Sequence, residues 1–165
     1  MKNLLIPVDF SAATEDQLSI GEQLARTFEA KIWILHSINE DPAIGVVGEV
    51  PMYVPVPDVP LPVRHPEEHK KLIELTVALL NRGIDAEEIL TSGSISDGIL
   101  STADLYQVDL IIMGSHGHGA LHDLFMGSIT QSVLQKAHRP TLIIPTSRRF
   151  VGESRQWELQ EAAAY

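Results

Sequence analysis

A glycine-rich segment followed by two hydroxyl residues carries the clearest chemical signal in the sequence. Gly114 and Gly117 follow an apolar run, and Gly127, Ser128 and Thr130 come after nine intervening residues. Glycine lets the backbone approach an anion closely, and successive N–H groups can converge on phosphate oxygens. A helix beginning at Ser128 would add N–H groups without partners, a partial positive charge and two hydroxyl donors. The pattern indicates a site for a di- or triphosphate.

Other phosphate-binding or catalytic loops do not fit this spacing. A Walker A loop requires a Lys after its last glycine, and none follows Gly119. A dinucleotide fingerprint requires glycine where His122 stands. The G-x-S-x-G turn of hydrolases does not occur. The glycines alone are equally compatible with a tight strand-to-helix connection that binds nothing.

Other side chains offer weaker chemistry. Asp9 ends the first apolar run, where it would accept a ligand hydroxyl or amine, or else stabilise a turn. His116, His118 and His122 cluster in the glycine-rich segment, but no carboxylate pair of metal-site spacing accompanies them. No nucleophile–base pair is visible, and the segment has no Lys or Arg to neutralise charge in phosphoryl transfer. We therefore expect binding with slow or absent hydrolysis.

The elements that position these residues alternate between strand and helix. Five short apolar runs predict strands, at 4–8, 32–38, 84–91, 109–113 and 141–144. Segments with helical spacing separate them, with Ser11 as the expected N-cap of the first helix and Gly83 as the expected end of the second. The run at 84–91 is polar enough for an edge strand, whereas the nearly continuous apolar run at 4–8 is typical of a strand buried on both faces. This alternation predicts an α/β fold with a single doubly wound parallel sheet and helices on both faces. Ligands of such sheets bind beyond the carboxyl ends of the strands.

Composition excludes several classes of function. The chain has 165 residues, 12 basic and 22 acidic side chains, a net charge of −10 and no cysteine. That length suits one domain, and the acidity argues against a nucleic-acid partner. The lack of Cys excludes Cys-ligated metals and thiol nucleophiles. No apolar run approaches about 20 residues and the apolar start is short, so we expect a cytoplasmic protein without membrane insertion.

Two segments do not follow the alternation. Residues 41–66 hold seven of the ten prolines, which predicts an extended insertion loop. This loop either packs on the domain surface or serves as a lid or dimer arm. Residues 147–165 are expected to form a tail or a short C-terminal helix, with Trp157 as a possible docking point.

The glycine pattern resembles that of a known family. Gly114-x2-Gly117-x9-Gly127-Ser128 is similar to the motif G-x2-G-x9-G-[ST] of the ATP-binding subgroup of universal stress proteins. Residues 6–11, 109–117 and 137–144 resemble the first, fourth and last strands of that family with their flanking turns. The resemblance covers residues 1–146 and implies a Rossmann-like sheet with strand order 3-2-1-4-5.

The resemblance also implies a ligand and a site. It places ATP at the carboxyl edge of the sheet, with Mg²⁺ or Mn²⁺ bridging the phosphates. The first strand and Ser37 would face adenine and ribose, and the glycine segment would hold ribose and phosphates. The implied nucleotide-binding residues are Pro7, Val8, Asp9, Ser37, Met113, Gly114, His116, Gly117, Gly127, Ser128, Ile129 and Thr130.

The family further implies a homodimer formed through the last strand, Thr141–Ile144, and an unidentified regulatory protein partner. The first hypothesis is a dimeric stress protein that responds to ATP and hydrolyses little or none of it. Two alternatives stay open: an interaction module of the same fold with an empty pocket, and a slow adenine-nucleotide hydrolase assisted by His116 or Asp9.

Overall fold

A five-stranded parallel sheet forms the centre of the computed structural model, which describes residues 1–39, 44–47, 50–53, 59–115 and 126–145. The strands are β1 (Asn3–Pro7), β2 (Lys31–Ile38), β3 (Ile44–Val47), β4 (Val50–Tyr53), β5 (Ala86–Ser92), β6 (Leu110–Gly114) and β7 (Thr141–Ile144). The helices are α1 (Ala13–Phe28), α2 (Leu61–Arg64), α3 (Pro66–Asn81), α4 (Ile95–Leu105) and α5 (Ser128–Lys136).

The main sheet has the order β5-β2-β1-β6-β7, and each neighbouring pair is parallel. Counted without β3 and β4, this is the predicted order 3-2-1-4-5, so the predicted fold class is confirmed. The predicted strand at 84–91 lies at the edge, as its polar residues indicated. The last strand lies at the opposite edge.

The core lies on both faces of the sheet because apolar residues in β1 are consecutive. Leu4 and Ile6 pack into the cluster that contains α1 and α3, whereas Leu5 packs into the cluster of α4 and α5. Side chains of a strand alternate between faces, so a fully apolar run serves two cores. The two layers of helices hold the strand ends in fixed positions.

The local sequence explains the end of α3 but not the start of α1. Gly83 has φ +78°, and the N–H groups of Gly83 and Ile84 donate to Leu80 and Leu79, which is the Schellman arrangement expected at a glycine stop. At the start of α1, however, Ala12 is the N-cap residue, and in the described part of the chain no side chain caps it. The expected capping by Ser11 was therefore wrong.

The proline-rich segment is not entirely an extended loop. Within 41–66, β3 and β4 pair as an antiparallel two-stranded sheet, and α2 follows. β-branched residues favour strand pairing, Pro51 is tolerated in a two-stranded ribbon, and Pro62 is tolerated in the first turn of a helix. The prediction of an extended loop was therefore wrong for β3, β4 and α2. The predicted tail, 147–165, lies outside the described residues.

The described helices include none that is long and apolar enough to cross a membrane.

Candidate functional site

The carboxyl ends of β1 and β6 form the centre of the candidate site. The ladder between these strands ends at Leu5 with Ile111, whereas the ladder between β1 and β2 continues to Pro7 with Leu35. Strand order reverses at this point, because β2 and β5 extend the sheet on one side and β6 and β7 on the other. A crevice at such a reversal is the expected ligand site of an open α/β sheet.

The side chain of Gln17 bridges these two strand ends. With its amide oriented to satisfy both partners, it donates to the carbonyl of Pro7 at 3.2 Å and accepts the N–H of Gly114. Gln17 comes from α1 and is 5% exposed. A buried amide thus connects the two strand ends beyond the last residue pair of their ladder.

Thr130 bonds the backbone carbonyl of Gly114, whose N–H is bonded to Gln17. The Thr130 hydroxyl donates to the Gly114 carbonyl at 3.0 Å, and Thr130 is 5% exposed. The sequence predicts Thr130 as a phosphate contact, but its hydroxyl is engaged by β6. What Thr130 offers an anion is its backbone N–H.

The first turn of α5 lies next to the end of β6. Gly127 donates its N–H to the carbonyl of Ser115 at 2.9 Å, which brings the two ends of the glycine-rich segment together. In the described part of the chain, no side chain caps α5, and Ser128 and Ile129 are exposed. The N–H groups of Ser128, Ile129 and Thr130 have no partners within the helix, as helix geometry requires. These donors and the helix dipole favour an anion at this position.

The turn after β1 is held by side chains. Asp9 Oδ1 accepts the N–H of Ser11 at 3.0 Å, and Phe10 adopts φ +59°, which is uncommon for a residue other than glycine. The Phe10 ring lies 4.4 Å from that of His36, whose Nδ1 is 2.8 Å from the carbonyl of Val8. One Asp9 oxygen therefore stabilises the turn, and its contact with a ligand stays a prediction.

Ser37 lies one strand away from the crevice, in β2. It pairs with Thr91 of β5, and both hydroxyl oxygens are buried without a hydrogen-bond partner among the described residues. A Cβ on Gly98 of α4 would come within 3.4 Å of the Ser37 hydroxyl. The Ser37 hydroxyl is therefore covered by α4, and its predicted contact with adenine stays a prediction.

The remaining predicted residues divide into two groups. Pro7, Val8 and Met113 lie at the carboxyl ends of β1 and β6, and Val8 and Met113 are buried. His116 and Gly117 lie outside the described residues. No group of three or more His, Cys, Asp or Glu side chains that could hold a metal occurs in the described ranges.

Gln17 is the site residue that sequence reasoning missed. The buried face of α1 consists of Ala13, Thr14, Gln17, Leu18, Gly21 and Ala25. A glutamine at a core-facing helical position was the available signal, because a buried amide requires hydrogen-bond partners. Its two partners are distant in sequence, so no local motif reveals them.

Comparison with known proteins finds relatives whose similarity covers nearly all of the described residues. The sequence model of the universal stress protein family matches residues 1–145. Universal stress protein MJ0577 of Methanocaldococcus jannaschii is 29% identical over 153 residues, which cover 87% of this chain and 94% of that protein.

Solved structures share the fold. The MJ0577 structure has a TM-score of 0.70 at 24% identity and covers 89% of this chain and 97% of its own. A universal stress protein of Archaeoglobus fulgidus in complex with dAMP has a TM-score of 0.62 at 20% identity, covering 87% and 98%. A universal stress protein in complex with cAMP has a TM-score of 0.63 at 20% identity, covering 88% and 98%.

Proposed function

The chain belongs to the universal stress protein family, and from this premise we propose that it binds ATP at the crevice between β1 and β6. The observation that carries the proposal is the first turn of α5, held beside the end of β6 by the Gly127–Ser115 and Thr130–Gly114 hydrogen bonds. Three backbone N–H groups face outward from a helix end where the strand order reverses. The site supplies positive potential locally in a chain of net charge −10.

Adenine is the proposed base because relatives of the same fold were solved with adenine nucleotides. One was determined with dAMP and another with cAMP. The triphosphate is proposed because the pattern Gly114-x2-Gly117-x9-Gly127-Ser128 resembles the ATP-binding motif of the family and leads into the N–H groups of the α5 end. Pro7, Val8 and Asp9 would contact adenine and ribose from the end of β1, with Ser37 and Met113 nearby. His116 and Gly117, which lie outside the described residues, are proposed as further contacts of ribose and phosphates.

A divalent cation would accompany the phosphates. The described residues contain no carboxylate and histidine group that could hold it alone. We therefore assign Mg²⁺ or Mn²⁺ to the phosphate oxygens, where it would neutralise charge. The residues of this chain would bind and orient the nucleotide.

The proposed role is regulatory, with little or no hydrolysis. Phosphoryl transfer needs an oriented nucleophile and neutralisation of developing charge. The N–H groups at the α5 end can bind phosphate oxygens, but the glycine-rich segment has no Lys or Arg and no nucleophile–base pair is visible in the sequence. ATP would instead favour one conformation or one partner interface of a homodimer formed through β7.

Residues 1–146 would form this nucleotide-binding domain, and 147–165 its appended tail.

Native mass spectrometry of freshly purified protein tests this function. We expect a bound mass equal to ATP or its complex with Mg²⁺, and a 1:1 stoichiometry per subunit after titration. Prolonged incubation with ATP and Mg²⁺ should yield little or no ADP. Absence of binding at millimolar ATP would favour an interaction module with an empty pocket, whereas many turnovers would favour a slow hydrolase.

A further inference from the structure

Gln17 is unusual among the buried residues of α1. Its neighbours on the buried face include Ala13, Leu18 and Gly21, yet the side chain at position 17 is a primary amide that is 5% exposed. Burying an amide without hydrogen bonds costs about 1–3 kcal/mol in proteins, so its contacts must offset this cost. Both ends of the Gln17 amide have such contacts.

The two contacts of Gln17 join opposite sides of the crevice. Its amide nitrogen donates to the carbonyl of Pro7, at the end of β1, and its oxygen accepts the N–H of Gly114, at the end of β6. The ladder between these strands ends at Leu5 with Ile111. Gln17 therefore provides a connection where backbone pairing has ended.

Gly114 is held by side chains from both faces of the sheet. Gln17 reaches its N–H from α1, and Thr130 donates to its carbonyl from α5 at 3.0 Å. Because the N–H and the C=O of Gly114 are both bonded to buried side chains, the backbone at Gly114 cannot shift without losing one of these bonds. The same Thr130 lies in the first turn of α5, whose N–H groups face the proposed phosphates.

We propose that Gln17 is a positioning residue that sets the width of the nucleotide crevice. Its two hydrogen bonds fix the end of β6 relative to the end of β1. The hydrogen bond from Thr130 to Gly114 then fixes the first turn of α5 relative to the end of β6. The adenine side of the site, at β1, and the phosphate side, at α5, are thereby held at one separation. This inference rests on the proposed binding of ATP in the crevice.

The assignment also narrows which donors reach the phosphates. The N–H of Gly114 is occupied by Gln17 and that of Gly127 by Ser115. Of the backbone N–H groups described in the glycine motif, those at the start of α5 are then the ones available to an anion, together with the exposed Ser128 hydroxyl. Gly114 therefore connects β6 to α1 through Gln17 and to α5 through Thr130.

The test compares Gln17→Met with Gln23→Met. Methionine keeps the length of glutamine and lacks both hydrogen-bonding groups, while Gln23 is an exposed residue of the same helix. Isothermal titration with ATP and Mg²⁺ should show affinity at least about tenfold lower for Q17M, because two bonds that fix the crevice are lost. Q23M should bind like the wild type. Both variants are checked for cooperative urea unfolding.

Hydrogen exchange of the Gly114 amide separates this inference from the proposed function. The Gly114 N–H should be protected in the wild type and Q23M, and should exchange faster in Q17M, with or without ATP. Equal exchange in the three proteins would show that Gln17 does not bond the Gly114 N–H, even if none of them bound ATP. If folded Q17M bound ATP with the affinity of the wild type, the positioning role would be overturned, even if Gln17 were shown to bond the Gly114 N–H.

Gln17→Glu serves if Q17M does not fold. The carboxylate keeps an acceptor for the Gly114 N–H but cannot donate to the Pro7 carbonyl. Protection of Gly114 together with weaker ATP binding would support the inference. Affinity equal to that of the wild type would overturn it.

Discussion

At the scale of single residues, Asp109 shows how a side chain outside the site aligns the two strands that form it. Its carboxylate accepts the N–H groups of Lys2 and Asn3, the second at 3.0 Å, and the Asp109 N–H donates to the Asn3 carbonyl at 2.9 Å. These bonds join the amino ends of β1 and β6. Gln17 joins their carboxyl ends, so side chains hold both ends of a ladder that has only two residue pairs.

Asp109 should make stability depend on pH. Hydrogen bonds from the backbone N–H of Lys2 and then Asn3 lower the pKa of its carboxyl. A lowered folded-state pKa contributes stability that is fully present above the ordinary Asp pKa and is lost as pH falls through the folded value. Asp109→Asn should therefore be less stable than the wild type at pH 7, by no more than about 1 kcal/mol because the carboxylate is exposed.

Urea unfolding at several pH values measures this difference. The difference in unfolding free energy between wild type and D109N should become smaller as the pH falls below the ordinary Asp pKa of about 3.9. Asp85→Asn is a suitable control, since Asp85 is also an exposed carboxylate before a strand. A gap for D109N that stays constant down to low pH would contradict the assigned role.

At the scale of elements, the packing of α1 on the sheet depends on Gly21. A Cβ at this position would lie 2.4 Å from Cδ1 of Ile6 and 3.8 Å from Cδ1 of Ile112. Ile6 is fully buried in β1. The absence of a side chain at Gly21 lets α1 approach the central strands closely, which also brings Gln17 within reach of the strand ends.

Gly21→Ala should destabilise the protein although alanine favours helix. The helix propensity gain is about 1 kcal/mol, and overpacking a core costs about 1–3 kcal/mol. Ile6→Val removes the Cδ1 atom that the new methyl group would meet. Ile6→Val alone should cost about 0.5–1.5 kcal/mol, and it should cost less in the Gly21→Ala background.

A double-mutant cycle by urea unfolding tests this packing. Favourable coupling between the two substitutions is expected because they compensate in volume. Additive effects, or a Gly21→Ala variant more stable than the wild type, would contradict the close approach of α1.

The elements were largely predictable because their signals are local. Consecutive apolar residues in β1 and β6 indicated strands buried on both faces, and Gly83 marked a helix end. The segment 41–66 was misread because its prolines outweighed the strand tendency of its valines. Gln17 and the hydroxyl of Thr130 were not predictable in the same way. Their roles come from contacts between residues that are far apart in sequence, which only the fold brings together.

At the scale of the whole molecule, β7 is one edge of the main sheet, opposite β5, among the described residues. All four of its residues are half-buried. The carbonyls of Pro140 and Ile144 accept bonds from the β6 side, so the backbone groups of Thr141 and Ile143 point to the other side. An edge with unpaired N–H and C=O groups favours pairing with another strand. This geometry supports the proposed homodimer.

Ile143→Pro should convert the proposed dimer to a monomer. Proline removes the outward N–H at the centre of β7 and is tolerated on an edge strand. Ile143→Val keeps that N–H and should remain dimeric. Light scattering coupled to size exclusion would give half the mass for the proline variant, with circular dichroism to confirm folding. An unchanged mass, or a monomeric wild type, would contradict dimerisation through this strand.

The central claim is that backbone N–H groups at the start of α5 hold the nucleotide phosphates, and Ser128→Pro tests it most directly. Gly127 has φ −58° and ψ 146°, the conformation favoured before proline, and Ser128 is the first helical residue, where proline is tolerated. The substitution removes one outward N–H together with the hydroxyl. Ser128→Ala removes the hydroxyl alone and is the matched control.

The measurement is the ATP dissociation constant of S128P relative to S128A, by isothermal titration with Mg²⁺. A hydrogen bond to a charged group contributes about 1.5–3 kcal/mol, so S128P should bind ATP about 10- to 100-fold more weakly than S128A. Equal ATP affinity in the two folded variants would show that the phosphates are not held by the start of α5.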